Sequence, residues 1–243
     1  MRIPRVYIAD SLPSCGEMTL PEAQSHYLHK VLRMENGREL VVFCGDGFEY
    51  SARIHQADKR ATQIEIHKRE WVERESPLPT HLAIAVSRGD RMDWVLQKAT
   101  ELGATRITPL FSERTEVRLK GERLHKKMAH WQQIIVSSCE QCQRNVLPQL
   151  QPACTLEQFF LQPNTDTKLV LHHRSQQNFK DMPHAQAVTL LIGPEGGLSD
   201  AEINIAMHTH QFQALTLGPR VLRTETAPIA ALTAVQLQWG DLG

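Results

Sequence analysis

Leu190-Leu191-Ile192-Gly193-Pro194-Glu195-Gly196-Gly197-Leu198 reads as a strand that runs into a glycine-rich loop. A second junction of the same kind follows, Leu217-Gly218-Pro219-Arg220-Val221-Leu222-Arg223-Thr224-Glu225-Thr226-Ala227. Each opens apolar, as a buried strand does, and breaks at Gly and Pro, the strongest local punctuation of a chain. Each then leads into a helical pattern. After the first, Ser199 and Glu202 stand at the spacing of a capping box. After the second, Thr224 or Thr226 can cap, and Pro228 falls where a first helical turn tolerates it. Glycine at the carboxyl end of a strand leaves backbone N–H and C=O groups open to a ligand. On composition alone, a Gly-Pro-x-Gly-Gly loop is as readily a plain structural turn.

The second part of the chain alternates strand and helix. Apolar strands are expected at 81–87, 107–111, 168–171, 188–193 and 214–218. A period of 3.6 residues predicts helices over 91–102, closed by Gly103, over 122–145 and over 226–238. Such alternation means an α/β domain with a parallel sheet. The beginning of the chain reads differently. Strands are expected at 5–9, 39–43, 48–54 and 63–67, with a short helix over 21–32 and a hairpin turn at Gly45-Asp46-Gly47. Several short strands and little helix predict a small barrel. Glu73-Arg74-Glu75-Ser76-Pro77-Leu78-Pro79 is polar with two prolines, so two domains are expected, 1–72 and 73–243.

Composition narrows the class. The chain has 243 residues, 41% hydrophobic and 22% charged, as ordinary globular proteins are. Its 27 Lys+Arg balance its 27 Asp+Glu, which argues against a nonspecific coat for nucleic acid but allows a local basic face. No apolar run approaches the roughly 18 residues of a membrane-spanning helix. The N-terminus lacks an apolar signal core, so the expected location is the cytoplasm. Five cysteines without framework spacing are expected as reduced thiols. Cys139 and Cys142 fall inside one helical pattern with no second pair, so no metal is expected; a helix surface at an interface or at an RNA site is the expectation for them.

The two loop motifs together resemble those of the SPOUT methyltransferases, and most closely the bacterial branch that methylates N3 of a uridine in 16S ribosomal RNA. Met1-Arg2-Ile3-Pro4-Arg5, Ser87-Arg88-Gly89, Gln97-Lys98-Ala99-Thr100-Glu101-Leu102-Gly103 and Cys139-Glu140-Gln141-Cys142 agree, so the likeness spans nearly the whole chain. It implies an α/β SPOUT domain with a C-terminal trefoil knot, preceded by a small PUA-like β-barrel domain that engages RNA. Periodicity could not have suggested a knot, which chains avoid. The two junctions would be knot loops, with His172-His173-Arg174 as a third. S-adenosylmethionine is the cofactor implied, 16S ribosomal RNA or the small ribosomal subunit the partner, and a homodimer the assembly. The rival from another class is a noncatalytic RNA-binding ribosome-assembly factor, whose loops would be structural turns.

On that likeness the cofactor would meet Leu171, His172, Ile192, Gly193, Pro194, Glu195, Gly196, Gly197, Leu217, Gly218, Arg220, Val221, Leu222, Arg223 and Thr224. Small residues let main-chain groups read adenine, and the apolar ones wall it. A uracil losing its N3 proton gains charge on its carbonyl oxygens, which the planar fork of an Arg suits. Arg223 is the first candidate and Arg220 the second. Either could instead pair with Glu195 or Glu225 and pin the loop. Glu195 can position the methionine amino group or act as base. His172 is another candidate base, or simply a partly buried His at a strand end. Arg2, Arg5, Lys30, Arg33 and Arg38 can form a phosphate-contacting face, with Arg88 beyond them. Arg118, Lys120, Arg123, Lys126 and Lys127 form a second basic cluster. A solvated charged surface is the plain alternative for both.

Overall fold

A computed structural model describes residues 3–172 and 182–243. Arg2, His173 and Arg174, each named above, lie outside the described residues. The chain divides into two compact units, 1–75 with 139–147, and 76–138 with 148–243.

The first unit is built on a five-stranded sheet. Its strands are β1 (Arg5–Tyr7), β2 (Gly16–Thr19), β3 (Glu39–Phe43), β4 (Phe48–Gln56) and β5 (Gln63–Trp71), in the order β1-β3-β4-β5-β2. All pairs are antiparallel except β1 with β3. The hairpin between β3 and β4 closes where Gly45-Asp46-Gly47 predicted it. Gly45 and Gly47 take φ of 91° and 86°, and Asp46 accepts hydrogen bonds from the Phe48 N–H at 3.1 Å and the Tyr50 hydroxyl at 2.7 Å. Alternate residues of β4 and β5 (Tyr50, Ala52, Ile54, Ile64 and Ile66) turn inward onto Val6, Ile8, Leu28 and Leu40. The short helix α1 (Glu22–His26) continues as a π-helical stretch, Tyr27–Val31.

The second unit is a parallel sheet of seven strands: β6 (Thr80–Ala85), β7 (Arg106–Phe111), β8 (Gln149–Leu150), β9 (Cys154–Thr155), β10 (Thr167–Leu171), β11 (Val188–Ile192) and β12 (Gln213–Leu215). The order is β12-β10-β11-β6-β7-β8, with β9 also on β7. Every residue of β6 and β11 is buried, as expected of central parallel strands covered on both faces. Among the described residues the helices here are α2 (Arg91–Glu101), α3 (Gly121–Cys142), α4 (Leu156–Phe160), α5 (Asp200–Asn204), which runs on as a π-helical stretch, Ile205–Thr209, and α6 (Thr226–Trp239). Sequence periodicity missed β2, β8, β9 and α4, because elements of two to five residues carry no period to detect.

Two details position the loops. Ser199 caps α5 with the full capping box its spacing predicted: its Oγ accepts from the Glu202 N–H at 3.3 Å, while Glu202 Oε2 accepts from the Ser199 N–H at 2.8 Å. At α6 the N-cap residue is Glu225, and neither Thr224 nor Thr226 caps by its side chain. The first N–H groups turn instead to the Arg223 carbonyl, which accepts from Thr226 and Ala227 at 2.9 Å each.

Candidate functional site

All three strands β10, β11 and β12 run parallel, so their carboxyl ends open on the same edge of the sheet. The chain reverses its direction of strand addition between β6 and β11, the kind of place where open α/β sheets hold ligands. A cavity of about 250 Å³ lies next to it, at the carboxyl ends of β10, β11 and β12.

Its first wall is the 193–198 loop. Pro194 O accepts from the Gly197 N–H at 2.8 Å, folding the loop back on itself. Arg114, in the segment after β7, donates to Gly196 O at 3.0 Å and Leu198 O at 3.4 Å. Gly193 allows this fold: a Cβ there would stand 2.7 Å from Leu198 N and 2.9 Å from Gly197 C. The second wall is the segment after β12. Its root is pinned to β10, because His172 N–H donates to Leu215 O at 3.0 Å and Thr216 Oγ1 donates to His172 O at 2.8 Å. Leu171, Ile192, Leu217 and Leu222 give the cavity its apolar surface.

Each residue expected at the cofactor lines this cavity, except His172 and Arg223. His172 sits at the strand end with its main chain engaged as described. Arg223 is exposed, and so is Arg220; among the described residues no ion pair joins either one. Leu198, Leu215 and Ala227 also line the cavity. Leu198 and Ala227 ended the two quoted motifs, so proximity to a glycine-rich turn was a signal available for both.

The Arg that pairs with Glu195 and Glu225 is Arg91, the first residue of α2, and not Arg220 or Arg223. Arg91 Nη1 donates to Glu195 Oε1 at 3.0 Å, and its Nε stands 3.7 Å from Glu225 Oε2. Glu195 Oε1 also accepts from the Arg88 N–H at 3.1 Å. Burial by itself would raise the Glu195 carboxyl. Backbone N–H donors, its own and that of Arg88, together with the Arg91 guanidinium, outweigh burial and hold it below its ordinary value.

The expected RNA contacts divide. Lys30, Arg33 and Arg123 are exposed. Arg88 turns its guanidinium to Glu116. Arg5 requires correction: it is 9% exposed, paired with Glu49 Oε1 at 2.6 Å, bonded to Asn145 Oδ1 at 2.6 Å and laid over the Phe43 ring. A buried guanidinium so committed organises its own unit and is not offered to a phosphate. In the second cluster, Lys126 pairs with Glu122 at 2.8 Å and Lys127 with Asp93 at 2.9 Å. Cys139 is fully buried, not a surface residue, and burial pushes its thiol up to about 12. Among the described residues no group of three or more His, Cys, Asp or Glu could hold a metal ion, and no helix is long and apolar enough to cross a membrane.

Comparison with known proteins sets this geometry in a family. Residues 74–236 match the family model of an RNA methyltransferase domain, and residues 20–66 that of an RNA methyltransferase PUA domain. A ribosomal RNA small subunit methyltransferase E from Buchnera aphidicola subsp. Schizaphis graminum is 38% identical over 99% of this chain and 98% of its own. The crystal structure of a ribosomal RNA small subunit methyltransferase E from Neisseria gonorrhoeae, bound to S-adenosyl methionine, is similar with a TM-score of 0.93 at 37% identity, covering all of both chains. A Legionella pneumophila protein described as a methyltransferase, solved in complex with the bound cofactor SAM, gives a TM-score of 0.95 at 42% identity over all of both chains. With a small N-terminal β domain ahead of a parallel-sheet domain whose two glycine-rich loops wall one cavity, this chain belongs to the RNA methyltransferase family of the ribosomal RNA small subunit methyltransferases E.

Proposed function

We propose that this protein transfers the methyl group of S-adenosylmethionine to N3 of a specific uridine in the 16S ribosomal RNA of the small subunit. One observation carries the reading: the two loops that follow β11 and β12 wall a single cavity, with apolar side chains and open main-chain groups. That lining suits a nucleoside whose base is stacked between apolar groups and read by peptide groups. Gly193, where a Cβ would strike Leu198 N and Gly197 C, lets the first loop fold tightly on itself beside that cavity.

S-adenosylmethionine supplies an electrophilic methyl on its sulfonium. In the displacement, uracil N3 loses its proton and forms the N–C bond, and the S–C bond breaks to leave S-adenosylhomocysteine. The protein's task is alignment and charge. Arg223, exposed beside the cavity and without an ion pair among the described residues, presents its fork to the uracil oxygens as they gain charge. Arg220 is the second candidate for the same role. Glu195, already ionised and paired, acts as an acceptor for the methionine amino group rather than as a base. His172 stays a candidate for the proton.

Residues 1–72 engage RNA through the basic side chains of Arg2, Lys30, Arg33 and Arg38, and residues 73–243 carry the chemistry. Threading of the last segment as a trefoil knot accounts for β12 pairing beside β10 while its following loop meets the loop after β11. A homodimer covers the apolar side chains left exposed on and near α6, among them Leu237 and Val221. Location in the cytoplasm follows from the substrate. Mass-spectrometric mapping of 16S ribosomal RNA from a strain lacking this protein tests the reading. One uridine should lose its N3 methyl group and regain it with the restored protein; an unchanged map refutes the assignment.

A further inference from the structure

Arg91 is an unusual way to begin a helix. A cation in the first turn meets the positive end of the helix dipole, so α2 gains nothing from it. What the side chain touches lies elsewhere in the chain. Its guanidinium reaches Glu195 Oε1 at 3.0 Å in the loop after β11 and lies 3.7 Å from Glu225 Oε2 at the end of the segment after β12. Glu225 Oε2 is buried, and among the described residues it has no hydrogen-bond partner. A buried carboxylate oxygen needs a compensating charge, and Arg91 is the cation that approaches it. Arg88, three residues earlier, is turned to Glu116.

We propose that Arg91 is a positioning residue for the cofactor: its fork ties the two loops together and sets the width of the slot between them. This rests on the cavity being the S-adenosylmethionine site. The tie runs through the first turn of α2, whose Arg91 reaches a carboxylate on each loop. A planar fork holds two carboxylates at fixed, separated corners; an ammonium draws its partners to a single point. When the tie is cut, the loops keep their strands but lose their mutual spacing, and the bound state must restore it.

The test is a double-mutant cycle in the full-length protein, with Arg91→Gln, Glu225→Gln and both together. Isothermal titration with S-adenosylmethionine is read against cooperative thermal melting. Each single variant should weaken binding about tenfold, and the double variant about tenfold also, since both cut the same tie. Turnover at saturating cofactor and RNA should stay within about twofold, placing the defect in KM for the cofactor and not in kcat. Arg91→Lys keeps the charge and the fold but not the fork, and should bind several-fold more weakly than the unaltered protein. Full affinity in Arg91→Gln, multiplied losses in the double variant, or full affinity in Arg91→Lys each overturn the inference. Absence of binding by the unaltered protein would sink the cofactor reading and the inference with it.

Discussion

Replacing Gly193 with alanine isolates the shape of the cavity from its chemistry. The new Cβ would stand 2.7 Å from Leu198 N, 2.9 Å from Gly197 C and 3.0 Å from Leu198 Cγ. Two of the three obstructing atoms are backbone, and that backbone is held by the Gly197 N–H to Pro194 O bond and by Arg114. The loop therefore has to open by several tenths of an ångström. Overpacking of this kind costs about 1–3 kcal/mol. In the free protein, part of that cost is relieved by the opened loop. Binding must then close the wall again, so the loss reappears as affinity, roughly 5- to 150-fold at about 1.4 kcal/mol per factor of ten. Gly196→Ala is the control, because its Cβ would meet Arg114 Cβ and Cδ at an ordinary 3.5 Å. Titration of S-adenosylmethionine into both variants should show a clear loss for Gly193→Ala and a change within about threefold for Gly196→Ala, on the scale set by a relaxed contact. Equal affinities in the two variants would refute the reasoning.

Three more outcomes are expected. Gln236 is fully buried, its Oε1 accepting from Ser76 Oγ at 2.7 Å and its Nε2 donating to Leu102 O at 3.1 Å, so Gln236→Leu should lose about 2–3 kcal/mol of stability, read as a lower melting temperature; an unchanged melt would show that the latch contributes nothing. Burial first, and the nearby Arg106 second, lower the His81 imidazole from 6.5 to about 4. Between those values the unfolded chain takes up a proton that the folded chain refuses, so stability falls as pH falls through that window, by about 3 kcal/mol at about 1.4 kcal/mol per pH unit. His81→Gln should flatten this part of the urea-midpoint profile, and an equally steep profile would contradict it. Arg223→Ala should keep cofactor and RNA binding and lose turnover by about 10²–10³-fold, the scale of removing one preorganised donor; lost RNA binding with full turnover at saturating RNA would make Arg223 a phosphate contact.

What could be read from the sequence was local or periodic. The continuous apolar runs of β6 and β11 carry their burial in every residue. The Ser199–Glu202 box needs only a spacing of three, and the Gly45-Asp46-Gly47 turn only glycines free to take positive φ. The two loop motifs lie in one cavity because parallel strands deliver their carboxyl ends to one edge, a consequence of the α/β pattern itself.

The tertiary structure decided the fate of the charges. An Arg has the same residue type whether its guanidinium is solvated, buried or bridging, and its partner is fixed by residues distant in sequence. Arg5 became a buried tie to Glu49 and Asn145 because residues 139–147 join the first unit, which no composition break announces. Arg91 looked like the start of an amphipathic helix, and only the meeting of two loops with the first turn of α2 set it between Glu195 and Glu225. Periodicity records which face of an element is apolar; it holds no information on which distant carboxylate will face a given cation, because that depends on the packing of whole elements.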